Sequence, residues 1–331
     1  MARATPEDWM HRAIELSRQG FPAPNPRVGC VIVQGDTAVG EGFHAYAGGR
    51  HAEAEALARA GELARGADVY VTLEPCAHHG RTPPCAAALI SAGVATVHYA
   101  VSDPNPVASG GAQQIASAGI AVTAGMCEAE AAFENRRFLT AVRRAQPFIV
   151  LKAATTLDGR IALPCGESKW ITGEPARSEG QRLRAEMGAV LVGSATVQRD
   201  DPQLNVRLPG VHHQPVKIVL DRYNQLSGTE RIFQEGEVRH LTGEIDLDSM
   251  LRTLFEEGIT GLLVEGGAYT FSSFVKAGLY DEIELFVAPA LMGEGVPWIQ
   301  TNLADTMAEV PRLSVRQVRR VGNDIQISLS K

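Results

Sequence analysis

Between residues 28 and 125 short β-rich runs alternate with helical stretches, and this alternation narrows the possible folds more than any other feature of the chain. VGCVIV (28–33) precedes a helix predicted from His51 to about Ala60, ADVYVTLE (67–74) precedes one after Cys85, and ATVHYAV (95–101) precedes one that stops before Ile120. A chain that returns through a helix after each strand lays its strands mostly parallel, with helices covering the sheet. The first half is therefore expected to be α/β. A polar helical stretch from Glu128 to Arg144 runs up to Gln146-Pro147, where the residue before proline is driven out of the helical region, and a strand, PFIVLKAA, starts at once. The boundary falls near Ala145, giving domains 1–145 and 146–331.

The second half repeats the grammar. It reads as helix Glu174–Glu186, strands AVLVG and VKIVLD, helix Asp246–Glu257, strand GLLVE, a helix from about Ala268, strand EIELFVAP and a last hairpin, LSVRQVRRV/DIQISLS, turning at Gly322-Asn323. The loop Leu208–Gln214, with its His212-His213 pair, reads as a solvated connection.

Charge and hydropathy remove several classes of partner. With 31 basic residues against 38 acidic ones the formal charge is −7, so the surface as a whole has no pull on a phosphate polymer, and no nucleic-acid partner is expected. Apolar runs such as Val28–Val33 and Phe148–Leu151 fall far short of the roughly 18 residues that span a bilayer, so no membrane partner is expected either. Near the start, Thr5 as N-cap, Pro6 in the first turn and Asp8 three residues after the cap read as a capped surface helix rather than a targeting leader. The expected location is cytoplasmic. In that reducing setting the five cysteines point to core, metal or catalytic uses more than to bridges. Cys30, on the buried side of VGCVIV, is assigned to the core; Cys127 and Cys165 are assigned nothing.

The sharpest chemical signal is His51-Ala52-Glu53 at a helix start, followed after a strand by Pro75-Cys76 and then Cys85. One imidazole and two thiolates form a common zinc shell, and three protein ligands leave the fourth tetrahedral position open, as catalytic sites do. Residues two apart on a helix point to different sides, so Glu53 can lean over that open position and handle protons instead of ligating. Cys85 is expected to open a helix whose dipole favours its thiolate. Zinc makes water nucleophilic near neutral pH, and a glutamate that moves the water's proton to a ring nitrogen and a departing amine completes a hydrolytic deamination. A tRNA or DNA deaminase would share this chemistry but would call for a basic, aromatic-lined groove, which an acidic chain with 6% aromatics does not offer.

The usual zinc-deaminase signature has two residues between its cysteines, whereas eight, AHHGRTPP, intervene here. TLEPCAHHGRTPPC, PNPRVGCVIV and GRHAEAEAL resemble the deaminase half of the bifunctional RibD-type proteins of riboflavin biosynthesis, in which the long spacing is a family trait. LKAATTLDGRIA, GESKWIT, LVGSATVQRDDPQLNVR and LLVEGGAYTFSSF resemble the reductase half of the same family. The resemblance implies a cytidine deaminase-like N-terminal domain followed by a dihydrofolate reductase-like C-terminal one. The first would remove an amino group from 2,5-diamino-6-(5-phosphoribosylamino)pyrimidin-4-one, and the second would use NADPH to reduce the ribosyl group to ribityl. It implies Zn2+ on His51, Cys76 and Cys85, with Glu53 as proton shuttle and substrate contacts at Asn25, His44, His78 and Arg81.

For the second domain the resemblance implies cofactor contacts at Ala154, Trp170, Thr196, Asp200, Arg222 and the run Gly267, Ala268, Tyr269, Thr270, Phe271, Ser272 and Ser273. Substrate contacts would be Ser168, Arg184, Leu204, Arg207 and Glu265, the two arginines suiting a ribose phosphate. Lys152 and Asp200 are the candidates to polarise or protonate near the sugar. No G-x-G-x-x-G is present; GLLVE followed by Gly266-Gly267 and a helix is the chain's own phosphate-approach signal. Arg50 stands before the metal histidine where this family has proline, and the 222–258 segment is shorter than the family's, which keeps open a reading in which the second domain is only a scaffold or binding module. The expected partners are small pyrimidine ribosyl phosphates, and the chain is expected to be a homo-oligomer.

Overall fold

The apolar runs pair into two sheets in a computed structural model that describes residues 3–78 and 83–331. The chain divides into two compact units, Met1–Ala145 and Gln146–Lys331. The first unit runs α1 (Pro6–Ser17), β1 (Gly29–Gln34), β2 (Thr37–Phe43), α2 (Ala52–Ala60), β3 (Asp68–Leu73), α3 (Cys85–Ala92), β4 (Thr96–Val101), α4 (Gly111–Ser117), β5 (Ala121–Ala124), α5 (Glu128–Glu134) and α6 (Arg136–Arg144). Helix α1 starts as expected: the Thr5 hydroxyl accepts the Asp8 N–H while the Asp8 carboxylate accepts the Thr5 N–H.

The sheet order is β2-β1-β3-β4-β5. Strands β3, β4 and β5 are parallel, but β1 is antiparallel to both neighbours. The expectation of a mostly parallel sheet is thereby corrected to a mixed one. The strand that changes the count is β2, TAVGEGF, whose glycines disguise it. A β-carbon on Gly40 would lie 2.2 Å from the Ala56 carbonyl oxygen and one on Gly42 2.3 Å from that of Ala52, so α2 can lie on β2 only because these residues have no side chain. Alternation along β1 sends Cys30 and Ile32 into one core, with Ala52, Ala56 and Leu89, and Val31 and Val33 into the other, with Met10, Ile14 and Leu139. Cys30 is a core residue, as read. The stretch from Glu128 to Arg144 is not one helix: it breaks at Asn135 into α5 and α6.

The second unit runs β6 (Phe148–Thr156), β7 (Arg160–Ala162), α7 (Glu174–Met187), β8 (Ala189–Gly193), α8 (Ser194–Asp200), β9 (Val216–Asp221), β10 (Val238–Thr242), α9 (Leu247–Glu256), β11 (Gly261–Val264), α10 (Ala268–Ala277), β12 (Glu282–Ala288), β13 (Val296–Pro297), β14 (Ser314–Val321) and β15 (Asp324–Ser330). Its large sheet has the order β10-β9-β8-β11-β6-β12-β15-β14, parallel from β10 to β12 and antiparallel through β15 and β14. Central strands β8 and β11 are buried along nearly their whole length, which is why they read as unbroken apolar runs. Leu151, Leu191, Leu262, Phe271 and Phe274 fill one core; Val190, Val192, Val197 and Val219 belong to the other. No helix among the described residues is long and apolar enough to cross a membrane.

Candidate functional site

Three elements of the first unit deliver one ligand atom each to a single point. His51 is the extended residue just before α2, Cys76 follows β3 by three positions, and Cys85 is the first residue of α3. The His51 Nδ1 lies 3.6 Å from the Cys76 Sγ and 3.3 Å from the Cys85 Sγ. All three ligand atoms fall within 4.8 Å of one another, and among the described residues no other group of histidine, cysteine and carboxylate side chains does so. Bonds of about 2.0–2.3 Å to a tetrahedral zinc would space its ligands roughly 3.5 Å apart, so these residues fit that ion. Glu53 is not part of the cluster. It lies beside it, 4% exposed, and burial together with the Cys76 sulfur pushes its carboxyl up to about 6.

The helix-dipole expectation for Cys85 is corrected by the geometry. The amide N–H that opens α3 donates to the Cys76 sulfur at 3.4 Å, so the helix end serves the neighbouring residue. Hydrogen bonds from the Cys85 thiol, from His51 and from that amide bring Cys76 down to about 4, while sharing the proton with Cys76 and burial push Cys85 up.

Above the three ligands lies a cavity of about 420 Å³, lined among others by Asn25, His44, His51, Glu53, Cys76 and His78. The His44 Nδ1 faces the Arg50 carbonyl at 2.9 Å, an acceptor only, so Nδ1 carries the hydrogen and Nε2 accepts from the Asn25 Nδ2 at 3.1 Å. Burial lowers the pKa of His44 and keeps it neutral. The His78 Nδ1 is buried with no hydrogen-bond partner among the described residues. Arg81, the remaining expected contact of this cavity, and His79 lie outside the described residues.

Among the lining residues that sequence reasoning missed are Glu74, Asp103, Asn105 and Phe138. The Glu74 carboxylate accepts the N–H groups of Asp103, Gly110 and Ala112, and so draws the SDPNPVASGG segment up to the cavity. The available signal was that run of Asp, Asn, Pro and Gly directly after a parallel strand, where ligand loops gather.

In the second unit the expected residues collect at the carboxyl ends of the parallel strands. Helices α8 and α10 start directly after the adjacent strands β8 and β11, with Gly193 and Gly267 as their N-caps, and the Gly193 N–H donates to the Gly266 carbonyl at 2.9 Å. A β-carbon on Gly267 would lie 3.1 Å from the Thr196 Oγ1, and one on Gly193 2.6 Å from the Thr270 Oγ1. Thr196, Gly267 and Thr270 are thus brought together beside two helix starts. Arg222 directly follows β9 and pairs with Glu244 at 3.2 Å, exposed. Trp170 is 70% exposed under the Arg177 guanidinium. Within the run 267–273, Phe271 packs into the core and the Ser272 hydroxyl accepts the Gln300 N–H, so these two side chains belong to the protein interior; Tyr269 and Ser273 are exposed.

Two polar groups organise the expected substrate residues. The Ser168 hydroxyl donates to Asp200 at 2.7 Å. Separately, Arg184 forks onto Glu265 at 2.5 and 2.9 Å, with the Lys152 Nζ 3.9 Å from the same carboxylate. Burial alone would raise Glu265, but Arg184 and Lys152 outweigh it and hold its pKa down, while burial lowers Lys152. Lys152 and Asp200 therefore stand in different groups. Alternation along β6 puts Ala154 on the same face as Lys152. The Arg184 guanidinium is committed to Glu265, so of the two arginines read as phosphate ligands Arg207 is the exposed one. Leu204, buried at φ +54°, precedes Asn205, whose carbonyl accepts from Arg184. The loop 208–214 is not simply solvated: both ring nitrogens of His213 are buried without a partner among the described residues, and Gln214 closes the loop by pairing with both backbone groups of Val206.

Comparison with known proteins places this geometry. The family model described as the RibD C-terminal domain matches residues 147–327, and that of the cytidine and deoxycytidylate deaminase zinc-binding region matches residues 3–101. The riboflavin biosynthesis protein RibD of Escherichia coli is 40% identical, over 98% of each chain. Among solved structures, a RibD of Acinetobacter baumannii superposes with a TM-score of 0.92 at 43% identity, over 98% of both chains. A Thermotoga maritima protein described as a diaminohydroxyphosphoribosylaminopyrimidine deaminase and 5-amino-6-(5-phosphoribosylamino)uracil reductase superposes at 0.88 and 38% identity, again over 98% of both.

Proposed function

The chain belongs to the RibD family of bifunctional riboflavin biosynthesis proteins, and from that premise we propose how its residues divide the work. The first unit is a deaminase of the cytidine deaminase-like fold and the second a reductase of the dihydrofolate reductase-like fold. The observation that carries the reading is the convergence of His51, Cys76 and Cys85 beside a buried Glu53 at one wall of a substrate-sized cavity.

His51, Cys76 and Cys85 hold zinc, which when bound supplies the Lewis acidity that makes a water nucleophilic near neutral pH. Glu53, with its carboxyl near 6, is suited to carry the water's two protons in turn, the first to a ring nitrogen and the second to the departing amine. Asn25 has one amide N–H committed to His44, whose own tautomer Arg50 fixes, so its carboxamide faces the pyrimidine in one orientation. His78 offers its unpartnered Nδ1 to the same substrate, with Arg81 as the phosphate contact.

In the second unit NADPH supplies the hydride. The Gly266-Gly267 turn and the first turn of α10 would hold its pyrophosphate, with Thr196 and Thr270 beside them and Arg222, Ala154 and Trp170 as further contacts. Arg207 takes the ribose phosphate, and Arg184 orients Glu265 toward the substrate. Lys152, its pKa lowered by burial, is the proton donor nearest that carboxylate, and Asp200 with Ser168 forms a second polar contact near the sugar. We place the protein in the cytoplasm, where its five free cysteines stay reduced, and expect a homo-oligomer.

The test is to incubate pure zinc-loaded protein with 2,5-diamino-6-(5-phosphoribosylamino)pyrimidin-4-one and NADPH and to follow ammonia and NADPH absorbance together. Both should change. Ammonia without NADPH consumption would favour a second unit that acts only as a scaffold, and no ammonia would overturn the deaminase assignment.

A further inference from the structure

Asn25 can face a substrate only if the loop that carries it is held, and the loop's own turn, in which the Asn25 N–H donates to the Pro22 carbonyl at 2.8 Å, has to be anchored to the rest of the unit. Pro24 and Pro26 flank Asn25 and, with Pro22, have no N–H to give to a neighbouring strand. The first residue after them that can be gripped on both backbone groups is Arg27.

Asn135, at the break between α5 and α6 and 3% exposed, makes that grip. Its Oδ1 accepts the Arg27 N–H at 2.8 Å and its Nδ2 donates to the Arg27 carbonyl at 2.7 Å. An asparagine that precedes a helix ordinarily turns its side chain back to accept a first-turn N–H; Asn135 makes no such bond. The carboxamide instead does for Arg27 what an adjacent strand would do.

We propose that Asn135 is a positioning residue of the deaminase cavity: through its two bonds to Arg27 it fixes the 24–28 loop and so the place of Asn25. The inference rests on the reading of Asn25 as a substrate contact. The gripped loop and the site are tied directly, since the His44 N–H donates to the Val28 carbonyl at 2.9 Å while its ring accepts from Asn25. Pro24, Asn25, Pro26 and Val28 all line the cavity, and Phe138, one turn after Asn135 on α6, lines it too. Loosening Arg27 therefore moves one wall of the cavity and leaves the proposed zinc ligands, just before α2, after β3 and at the start of α3, where they are.

Deamination by the zinc-loaded full chain would be compared in wild type, Asn25→Ala, Asn135→Ala and the double variant, with zinc content and the NADPH KM of reduction measured alongside. Asn135→Ala should raise KM for the diamino pyrimidine by about 10-fold or more, lower kcat less, and keep one zinc per chain and the wild-type NADPH KM. Because Asn135 acts through Asn25, the double variant should be no worse than Asn25→Ala alone. An unchanged KM in Asn135→Ala, or losses that multiply in the double variant, would overturn the positioning role. An unchanged KM in Asn25→Ala would instead overturn the substrate reading beneath it. If Asn135→Ala does not fold or loses zinc, Asn135→Asp decides: it keeps the acceptor for the Arg27 N–H but sets a carboxylate oxygen against the Arg27 carbonyl, so a raised KM with full zinc is expected, and a wild-type KM would overturn the proposal.

Discussion

The two units build their sites in opposite ways. In the first, the three atoms proposed as ligands lie within 4.8 Å of one another and the Glu53 carboxyl, proposed to move protons, is 4% exposed beside them. In the second, the residues expected to meet the cofactor are spread along the ends of several strands, and Trp170 and Tyr269 are 70% and 76% exposed. A metal site must be nearly complete in the protein alone, because an ion reaches only about 2.0–2.3 Å. A dinucleotide is an extended ligand, so its contacts can stand far apart. Substitutions in the first site should therefore act nearly all-or-none, and those in the second by degrees.

The sharpest way to break that contrast is at a zinc ligand. Cys76→Ser should lower zinc from one per chain to near zero and abolish deamination, while reduction of the deaminated intermediate continues. Full zinc by elemental analysis in that variant would remove Cys76 from the ligand set. In the second unit, Asp200→Ala frees the Ser168 hydroxyl and Arg207→Ala removes an exposed cation, so each should slow reduction roughly 10- to 100-fold without changing ammonia release. Parallel loss of both activities would show that the units do not work separately. Gly267→Val should act mainly on NADPH affinity: its β-carbon would stand 3.1 Å from the Thr196 Oγ1, and only a residue without one lets backbone approach a pyrophosphate. An unchanged affinity, by fluorescence titration of folded protein, would put the cofactor elsewhere. Smallest of all, Thr5→Ala removes half of the α1 capping box and should cost about 1 kcal/mol of stability in denaturant melts with neither activity altered.

The same contrast governs what could be read from the residues alone. His51, Cys76 and Cys85 stand out as a candidate zinc set because few residue types bind zinc and each sits near a strand end or helix start. The Arg184–Glu265 pair is 81 residues apart and chemically ordinary, so only the adjacency of α7 to β11 makes it a site. Central strands β8, β9 and β11 were legible because burial on both faces leaves an apolar run. Strand β2 was hidden by the two glycines on which α2 rests, and β10 by being a half-polar edge strand. The break at Asn135 was hidden because the stretch reads as helix on either side, while the Asn135 carboxamide is bound to the backbone of Arg27, more than a hundred residues away. Asp103 and Asn105 reach the cavity only because β4 lies next to β3 and Glu74 anchors the loop that follows.

The most direct test of two separate sites in one chain is Glu53→Gln in the full-length protein, with zinc, ammonia release and NADPH oxidation measured on the same preparation. One zinc per chain should remain, deamination should fall by at least the ~10²–10⁴ of a lost acid–base group, and reduction of the deaminated intermediate should run at the wild-type rate. Near-normal ammonia release would make Glu53 structural, and a joint loss of both activities would contradict the division between the units.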